Sequence, residues 1–327
     1  WGIDSHGVLR VAKYLDRLRS GSMNPTPEIC TLQAGDGLEV LDADNGSGYI
    51  AGRAAMTRAI ELAKKQNIAA VGIINSNHCG ATSLYARMAL EHDMIGIAMS
   101  TVAPNMVMTG GSRPITGNNP IAVAVPTFGD FPFVLDISLS AVAGGKLLVA
   151  AKNGEQIPFG WATDSEGRPT NDPKAGFDGF LLPLGGHKGF GLSLLVDILC
   201  GVITGGSFQH QLKSMYRYPN DPSNTAHLMI VMNPLALLGK EQLKQRMSDF
   251  TFSIDGVEIT ARDGQTIMEA ADEAGVYIPR LCDHEGLRHQ GSCRVCTVKA
   301  GGRSVAACTQ PAVPGQEVEN ETPHITK

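Results

Sequence analysis

The sequence predicts two domains of different fold class, a large α/β domain followed by a small α+β domain. Apolar strand-like runs alternate with helical patterns up to about residue 234, which is typical of α/β architecture. Beyond that point two short alternating strands precede one helix and a cysteine-bearing loop. With 327 residues, the chain is long enough for two hydrophobic cores. We expect domains at 1–236 and 250–327, joined by a linker at 237–249.

The first predicted helix runs from Ser5 to Ser20. Ser5 can cap its start and Gly21 can end it. Apolar residues at helical spacing form a stripe along one face. They are Val8, Val11, Ala12, Leu15 and Leu18.

The remainder of the first domain alternates between helices and strands. The apolar tract from Phe190 to Thr204 predicts a buried helix. Because Asp197 interrupts this tract and it is too short to span a bilayer, we expect no membrane association. The predicted helices lie at 51–65, 83–92 and 189–204, and the predicted strands at 68–75, 94–101, 131–138 and 227–234.

The second domain begins with a hairpin. A short charged helix at 239–249 leads into two alternating strands at 250–261, which surround the turn signal Asp255-Gly256. A helix follows at 266–275 and ends at Gly275.

The charge and cysteine content exclude some classes of protein. The net charge is −5, from 27 Lys+Arg and 32 Asp+Glu, so nucleic acid is not expected as the main partner. Outside the C-terminal segment the cysteines are scattered, which favours a reducing, cytoplasmic location. No signal peptide is apparent. Because the chain opens with Trp1, we expect its natural N-terminus to lie upstream.

Four cysteines near the C-terminus follow the spacing C-x10-C-x2-C-x11-C in a Gly-rich stretch. They are Cys282, Cys293, Cys296 and Cys308. Four thiolates from one short segment can bind a soft metal centre. Zinc ribbons usually have two CxxC pairs, whereas this segment has one. The pattern therefore favours an iron–sulfur cluster, with zinc or a pair of disulfides as alternatives. His284 and His289 are interpreted as solvated loop residues.

The segment from Phe250 to about Pro323 resembles the 2Fe–2S ferredoxin module of complex I, NAD-reducing hydrogenase and formate dehydrogenase subunits. The resemblance is carried by IDGVEITARDGQTIMEAADEAGVYIPRLCDHEGL, GSCRVCTVKAGG and AACTQPAVPGQEVENETP. It implies a β-grasp fold and assigns all four cysteines as cluster ligands. Plant-type ferredoxins use a tighter C-x4-C-x2-C spacing, so this module is of another type.

Three polar residues share one face of the first helix, separate from the apolar stripe. His6, Arg10 and Tyr14 are spaced at i, i+4 and i+8. An arginine can bind a carboxylate in bidentate geometry, and a histidine can donate or accept a proton. The set therefore suits a small carboxylate substrate, although a solvated helix face would show the same spacing.

Six ordered blocks make the region from Trp1 to Pro234 similar to the malate/L-lactate dehydrogenase family, which includes ureidoglycolate and diketogulonate dehydrogenases. The blocks are GIDSHGVLRVAKYLDRLRSG, NSNHCGATSLYA, TGNNPIAVAVP, LDISLSAVAGGK, IPFGWATDSEGRPTNDP and GGHKGFGLSLLVDILCGVITGGSF. The resemblance implies NAD- or NADP-dependent interconversion of 2-hydroxy and 2-oxo acids. It also implies a non-Rossmann fold, in agreement with the absence of a G-x-G-x-x-G motif between a strand and a helix.

The same resemblance assigns roles to individual residues. His6 and His78 are both acid/base candidates, while Arg10 and Tyr14 would bind the substrate. The candidates for contact with the dinucleotide are Asn118, Asn119, Asp136, Ser138, His187, Lys188 and Gly189. Considered without the resemblance, Asp136 and Lys188 would more often have a structural role than a cofactor-binding one. His92, His210 and His227 match no motif and are interpreted as structural.

The sequence departs from the family at both ends of the first domain. The family's helical segment ahead of SHG is missing, and the ferredoxin module replaces its C-terminal stretch, so we expect a truncated domain. The resemblance also implies a homodimer through this domain. Nicotinamide transfers two electrons as hydride, whereas a cluster accepts one. Because no flavin motif is visible, electron flow between the halves would need a partner subunit that contains a flavin.

Three hypotheses follow for function. The leading one is an NAD(P)-dependent 2-hydroxy-acid dehydrogenase with an appended 2Fe–2S electron-transfer domain. The alternative is an electron-transfer subunit whose dehydrogenase-like part is an inactive remnant. In the third, the chain is a fragment or an accidental join of two reading frames.

Overall fold

The computed structural model describes residues 6–108, 110–127, 131–243, 249–262, 264–280 and 294–320. The chain forms two compact units. The first comprises Trp1–Pro126 and Phe133–Leu237, and the second comprises Thr127–Pro132 and Leu238–Lys327.

A seven-stranded sheet in the order β1-β2-β3-β10-β4-β5-β6 is the centre of the first unit. Only β2 and β3 pair in parallel, and the other neighbours are antiparallel. This order differs from the parallel sheet of the Rossmann fold. The strands are β1 Cys30–Ala34, β2 Leu38–Asp42, β3 Ile68–Ser76, β4 Ile95–Ser100, β5 Pro120–Val125, β6 Phe133–Ser138 and β10 Thr225–Met232. A small sheet in the order β8-β7-β9 contains β7 Ala162–Thr163, β8 Pro169–Thr170 and β9 Phe180–Leu181.

Six α-helices are described in this unit. They are α1 Val11–Arg19, α2 Gly48–Gln66, α3 Ser83–Ala86, α4 Gly144–Asn153, α5 Pro173–Asp178 and α6 His187–Asp197. Helix α2 packs its alanine-rich face on the large sheet, where Ala55, Met56 and Ala59 are fully buried. A 3₁₀ segment at Arg87–His92 extends α3, so the helix predicted at 83–92 is confirmed in two parts. The strands predicted at 68–75, 94–101, 131–138 and 227–234 are confirmed as β3, β4, β6 and β10.

The first helix is confirmed from Val11 to Arg19 but does not extend as an α-helix ahead of Val11, and its apolar stripe faces water. A 3₁₀ turn at Val8–Arg10 precedes α1, and Gly21 follows it with φ of 75°. Val8 is 88% exposed and Leu15 is 44% exposed, whereas Arg17 on the polar face is 1% exposed. The side that packs on the protein is therefore the polar one.

Helix α6 is only partly buried, unlike the prediction for 189–204. One face, with Val196 and Asp197, is buried, while Leu192, Leu195 and Ile198 remain 44–46% exposed. A π-helical turn at Ile198–Val202 continues the helix. Along the part of the chain that the structure describes, no helix is both long and apolar enough to cross a membrane.

In its described residues, the second unit has a five-stranded sheet in the order β12-β11-β15-β13-β14 and a helix that packs on it. The predicted hairpin is confirmed, because Asp255 and Gly256 both have positive φ between the antiparallel strands β11 and β12. The predicted helix is confirmed as α7, Ile267–Glu273, with a capping box between Thr266 and Glu269. The strands are β11 Asp249–Ile254, β12 Val257–Arg262, β13 Thr297–Ala300, β14 Arg303–Ala306 and β15 Glu317–Glu319.

Candidate functional site

The first candidate site lies where the polar face of α1 meets the loop after β3. Strand β3 ends at Ser76, and the following loop carries His78. The loop packs closely on the start of α2, because a Cβ at Gly48 would lie 2.2 Å from the backbone oxygen of Asn77. This approach requires glycine at position 48 and fixes the loop against the helix.

Four residues singled out from the sequence come together here. The hydroxyl of Tyr14 lies 2.6 Å from Nδ1 of His78. The rings of His6 and His78 are stacked, with centroids 5.5 Å apart. Arg10 is buried, with 8% of its surface exposed. Its positive charge contributes to lowering the pKa values of both His6 and His78. Residues 6–14 and residue 78 therefore form one cluster, although the chain separates Tyr14 from His78 by 64 positions.

Burial sets the protonation states in this cluster. Burial, followed by the positive charges of His6 and Arg10, lowers the pKa of His78 to about 3. Burial, and then Arg10, also lowers the pKa of His6. Burial and a hydrogen bond to Tyr49 raise the pKa of Tyr14 well above its ordinary value. At neutral pH the site therefore contains a neutral His78, a protonated Tyr14 and a cationic Arg10.

Two aromatic residues of this site were missed from the sequence. Tyr49, in the first turn of α2, packs edge-on against Tyr14 with ring centroids 5.9 Å apart. Tyr216 lies over the guanidinium of Arg10, whose Cζ is 5.4 Å from the ring centroid. Lys13 also approaches the Tyr216 ring, at 5.9 Å. Neither tyrosine lies in a pattern that marks function, so no local signal was available for them.

His227 lies behind the site in β10 and is completely buried. Its Nδ1 is 2.9 Å from Oγ of Ser100, and its Nε2 is 3.0 Å from Oγ of Ser76. Burial lowers the pKa of His227 to about 4, so the ring is neutral and bonded on both sides. These contacts agree with its interpretation as a structural residue.

Asp136 joins the end of β6 to α3. Its carboxylate accepts hydrogen bonds from Oγ1 of Thr82 at 2.9 Å and from N and Oγ of Ser83 at 3.0 and 2.5 Å. The negative charge of Asp136 partly opposes the lowering of the pKa of His6 by burial and by Arg10. Asp136 remains exposed to solvent.

The other dinucleotide candidates meet around the buried backbone of Leu139. The amide of Leu139 donates to the carbonyl of Asn118 at 3.3 Å, and its carbonyl accepts from the amide of Leu184 at 3.0 Å. A Cβ at Gly189 would lie 2.2 Å from the carbonyl oxygen of Leu184, so this position needs glycine. Ser138 immediately precedes Leu139, with Oγ 3.4 Å from Oγ of Ser140.

Asn119 differs from its neighbour Asn118 because it is completely buried. Its Oδ1 accepts from the amide of Val102 at 2.7 Å. Its Nδ2 donates to the carbonyl of Ser193 at 2.8 Å and to Oδ1 of Asp197 at 2.9 Å. The amide thus ties the GNNP segment to α6, and its contact with a dinucleotide stays a prediction.

The N-terminus of α6 has the features of an anion site. His187 and Lys188 are exposed in its first turn, after the positive-φ residues Gly185 and Gly186. Backbone N–H groups and the helix dipole favour a phosphate at such an end, and Lys188 adds a positive charge. The residues around Leu139 and at this helix start therefore suit the pyrophosphate of a dinucleotide.

The second candidate site is the cysteine segment. Cys296 and Cys308 are 1% and 4% exposed, and their Sγ atoms are 3.3 Å apart. Two buried thiols at this separation fit adjacent ligands of one iron in a Cys₄ cluster. Cys282 and Cys293 lie outside the described residues. Among the residues that are described, no group of three or more His, Cys, Asp or Glu side chains could bind a metal ion.

Comparisons with known proteins identify the family of each part of the chain. The malate/L-lactate dehydrogenase model matches residues 1–274, and the 2Fe-2S iron-sulfur cluster binding domain model matches residues 248–323. Malate dehydrogenase of Pyrococcus abyssi is 43% identical over 256 residues, which cover 76% of this chain and 70% of that protein. Ureidoglycolate dehydrogenase (NAD(+)) of Escherichia coli K12 is 38% identical, over 85% of this chain and 76% of the relative.

Solved structures show the same relationship. Sulfolactate dehydrogenase from Methanocaldococcus jannaschii superposes with a TM-score of 0.69 at 33% identity, covering 88% of this chain and 75% of the other. The predictions of a dehydrogenase of this type and of a 2Fe–2S domain are confirmed. The chain therefore belongs to the malate/L-lactate dehydrogenase family, and its C-terminal part matches a 2Fe–2S cluster-binding domain.

Proposed function

We propose that this chain is an NAD(P)-dependent 2-hydroxy-acid dehydrogenase, active in reverse as a 2-oxo-acid reductase, with an appended 2Fe–2S electron-transfer domain. The observation that carries the proposal is the 2.6 Å contact between Tyr14 and His78 beside the buried Arg10. Such a cluster provides a proton acceptor, a hydroxyl and a carboxylate-binding cation within one site. The names of the relatives, which are dehydrogenases of small hydroxy acids, support the same reaction class.

Arg10 is the proposed carboxylate ligand. Its Cζ lies 5.4 Å from the centroid of the Tyr216 ring, and a guanidinium has N–H donors in the planar geometry that matches a carboxylate. A carboxylate bound there would form a bidentate pair. It would also offset the positive charge that lowers the pKa of His78, so substrate binding would raise that pKa.

His78 is the proposed proton acceptor and donor, with Tyr14 as its hydrogen-bonding partner. During oxidation, the substrate hydroxyl gives its proton to Tyr14 as Tyr14 passes its own proton to Nδ1 of neutral His78, and during reduction both transfers reverse, so that the oxygen of the 2-oxo acid is protonated. Tyr14 stays protonated because burial raises its pKa, so it donates hydrogen bonds without ionising. His6 stacks on His78 and limits its movement. The nicotinamide, when bound, accepts or supplies the hydride.

The dinucleotide would lie along Asn118, Ser138 and the start of α6. Lys188 and the free end of the helix suit its phosphates. Asp136 is a candidate acceptor for hydroxyl groups, although Thr82 and Ser83 already bind its oxygens. Asn119, His187 and Gly189 complete this proposed set.

The second unit is proposed to have a β-grasp fold with a cluster held by the four cysteines. The parallel pairing of β11 with β15 and the packed helix α7 support this fold. An iron–sulfur cluster, when bound, carries single electrons, so exchange with a hydride carrier requires a flavin. We propose that a flavin-containing partner subunit supplies it. We also propose a homodimer through the first unit and, because the cysteines outside the C-terminal motif are scattered along the sequence, a cytoplasmic location.

The test is turnover of the purified chain with a panel of 2-oxo acids and NADH or NADPH. His78→Gln should lower kcat/KM by about 10²- to 10⁴-fold, because it removes the proton donor. His92→Gln, at an exposed position, is the matched control and should retain activity. A folded wild-type chain that turns over none of these acids would disprove the proposal and favour an inactive first unit.

A further inference from the structure

Arg17 is a buried cation that the proposed reaction does not use. It lies on α1 one turn beyond Tyr14 and is 1% exposed. Its four acceptors are the carbonyl oxygens of Ser22 (3.1 Å), Asp221 (3.0 Å) and Pro219 (3.4 Å) and Oδ1 of Asn77 (2.9 Å). These atoms come from three separate segments of the chain, so one guanidinium holds all three to α1.

Burying the charged guanidinium of Arg17 costs free energy, so its hydrogen bonds must serve a purpose that an uncharged side chain could not. Burial lowers the pKa of Arg17, with an opposing effect from the charge of Asp221. The hydrogen-bonded acceptors are neutral carbonyl and amide oxygens, which replace water but do not cancel the charge. An apolar side chain would fill the same space at lower cost. The buried arginine therefore indicates that its hydrogen bonds to the three segments are needed.

Asn77 links Arg17 to His78, because it immediately precedes His78 in the sequence. It is 2% exposed, and its Oδ1 accepts from Arg17. Its Nδ2 donates to O and Oδ1 of Asn45 at 2.9 and 3.0 Å and to the carbonyl of Gly46 at 2.9 Å. The side chain immediately before His78 is thus fixed from two sides.

The same guanidinium also holds the segment that covers Arg10. Pro219 and Asp221, whose carbonyls it binds, follow Tyr216 by a few residues. Tyr216 in turn stacks on Arg10. Arg17 therefore contacts the neighbours of the proposed proton-transfer pair and of the proposed carboxylate site.

We propose that Arg17 is a positioning residue that, through Asn77, holds His78 against Tyr14. The bond from Arg17 to Asn77 joins the same two segments as the 2.6 Å contact between Tyr14 and His78. Without it, α1 is free to move relative to the loop after β3, and the proton-transfer pair separates. This inference rests on the proposed function of His78 and Tyr14.

The first test is steady-state kinetics of Arg17→Met. Displacement of reacting groups by about 1 Å can cost on the order of 100-fold, so kcat should fall by about that factor, and KM should change by less than about fivefold. Arg17→Lys should restore part of kcat, because an ammonium retains donors but lacks the planar fork. Asn77→Ala should lower kcat in the same way, and the double variant should be no worse than either single variant.

Arg58→Met is the matched control. Arg58 donates to both carboxylate oxygens of the buried Glu39, at 2.6 and 2.8 Å. In the described part of the chain, it has no hydrogen bond with Arg17, Asn77, Tyr14 or His78. Its loss should reduce stability but leave kcat unchanged. If Arg58→Met lowers kcat as much as Arg17→Met does, or if Arg17→Met leaves kcat unchanged, the proposal is overturned.

The second test does not depend on turnover. In ¹⁵N-histidine NMR of the full chain, His78 should stay neutral at pH 5 in the wild type and in Arg58→Met. In Arg17→Met or Asn77→Ala, the opened site should let His78 gain a proton at that pH. An unchanged His78 signal in both variants would overturn the proposal. If the wild type lacks turnover but His78 gains a proton in these variants, the proposed function fails while the positioning role of Arg17 is supported.

Discussion

The two candidate sites are assembled in opposite ways. Tyr14 and His78 meet across 64 positions of sequence, through a helix and a loop that pack by polar contacts. Cys296 and Cys308 are only 12 positions apart, on a short piece of a small sheet. The first geometry depends on the tertiary structure of a whole unit, whereas the second depends mainly on local chain geometry. The cysteine site is therefore visible in residue spacing, and the other site is only partly visible.

The largest expected effect is the loss of the cluster in Cys296→Ser. Removing one of four thiolate ligands should abolish most iron and acid-labile sulfide and the visible absorption of the cluster. Dehydrogenase turnover should remain, because the histidine site lies in the other unit. Cys30→Ser, at an exposed cysteine outside the motif, is the control and should keep its iron. Equal iron content in the two variants would remove the cluster assignment.

A second prediction concerns the pH dependence of stability in the first unit. The pKa of His227 is lowered to about 4 from 6.5, so the unfolded chain binds more protons between these pH values. Stability from this residue is fully present above pH 6.5 and decreases by on the order of 3 kcal/mol as the pH falls to 4.

His227→Gln removes this titration but retains an amide that can bond Ser76 and Ser100. Denaturant unfolding at several pH values should therefore show a weaker loss of stability in acid for this variant. His92→Gln, at an exposed histidine, serves as control and should follow the wild type. The same slope in all three proteins would show that His227 is not the buried titrating group.

The smallest expected effect belongs to Tyr216, which no local pattern marks. Tyr216→Leu removes the ring that stacks on Arg10 and should raise KM for 2-oxo acids by about fivefold, as expected for a cation–π contact of about 1 kcal/mol. Tyr216→Phe keeps the ring and should behave as the wild type. An increase in KM of about fivefold in both variants would assign the effect to the hydroxyl instead.

Sequence reasoning was most successful where the physical signal is local. The Asp255-Gly256 turn and the end of the following helix near Gly275 each depend on a few neighbouring residues, and both formed as predicted. The spacing of His6, Arg10 and Tyr14 also predicted that they share a site, and the structure brings them together, although His6 lies ahead of the helix. Periodicity alone did not say which face of that helix would be buried.

The rest required contacts that arise only in the folded chain. Tyr49 and Tyr216 reach the histidine cluster from separate segments, and neither has a motif of its own. Asn119 shares the GNNP motif with Asn118, yet only the structure distinguishes its buried amide from the half-buried neighbour. A motif identifies a segment, but tertiary packing decides which of its side chains can contact a ligand.

The outward-facing valines and leucines of α1 have a practical consequence for protein engineering. Val11 is 48% and Leu15 is 44% exposed, so lysine or glutamate at these two positions should increase solubility with little loss of folding free energy. A redesign guided by hydropathy alone would keep these residues and replace Arg17, although Arg17 is the residue that the fold buries.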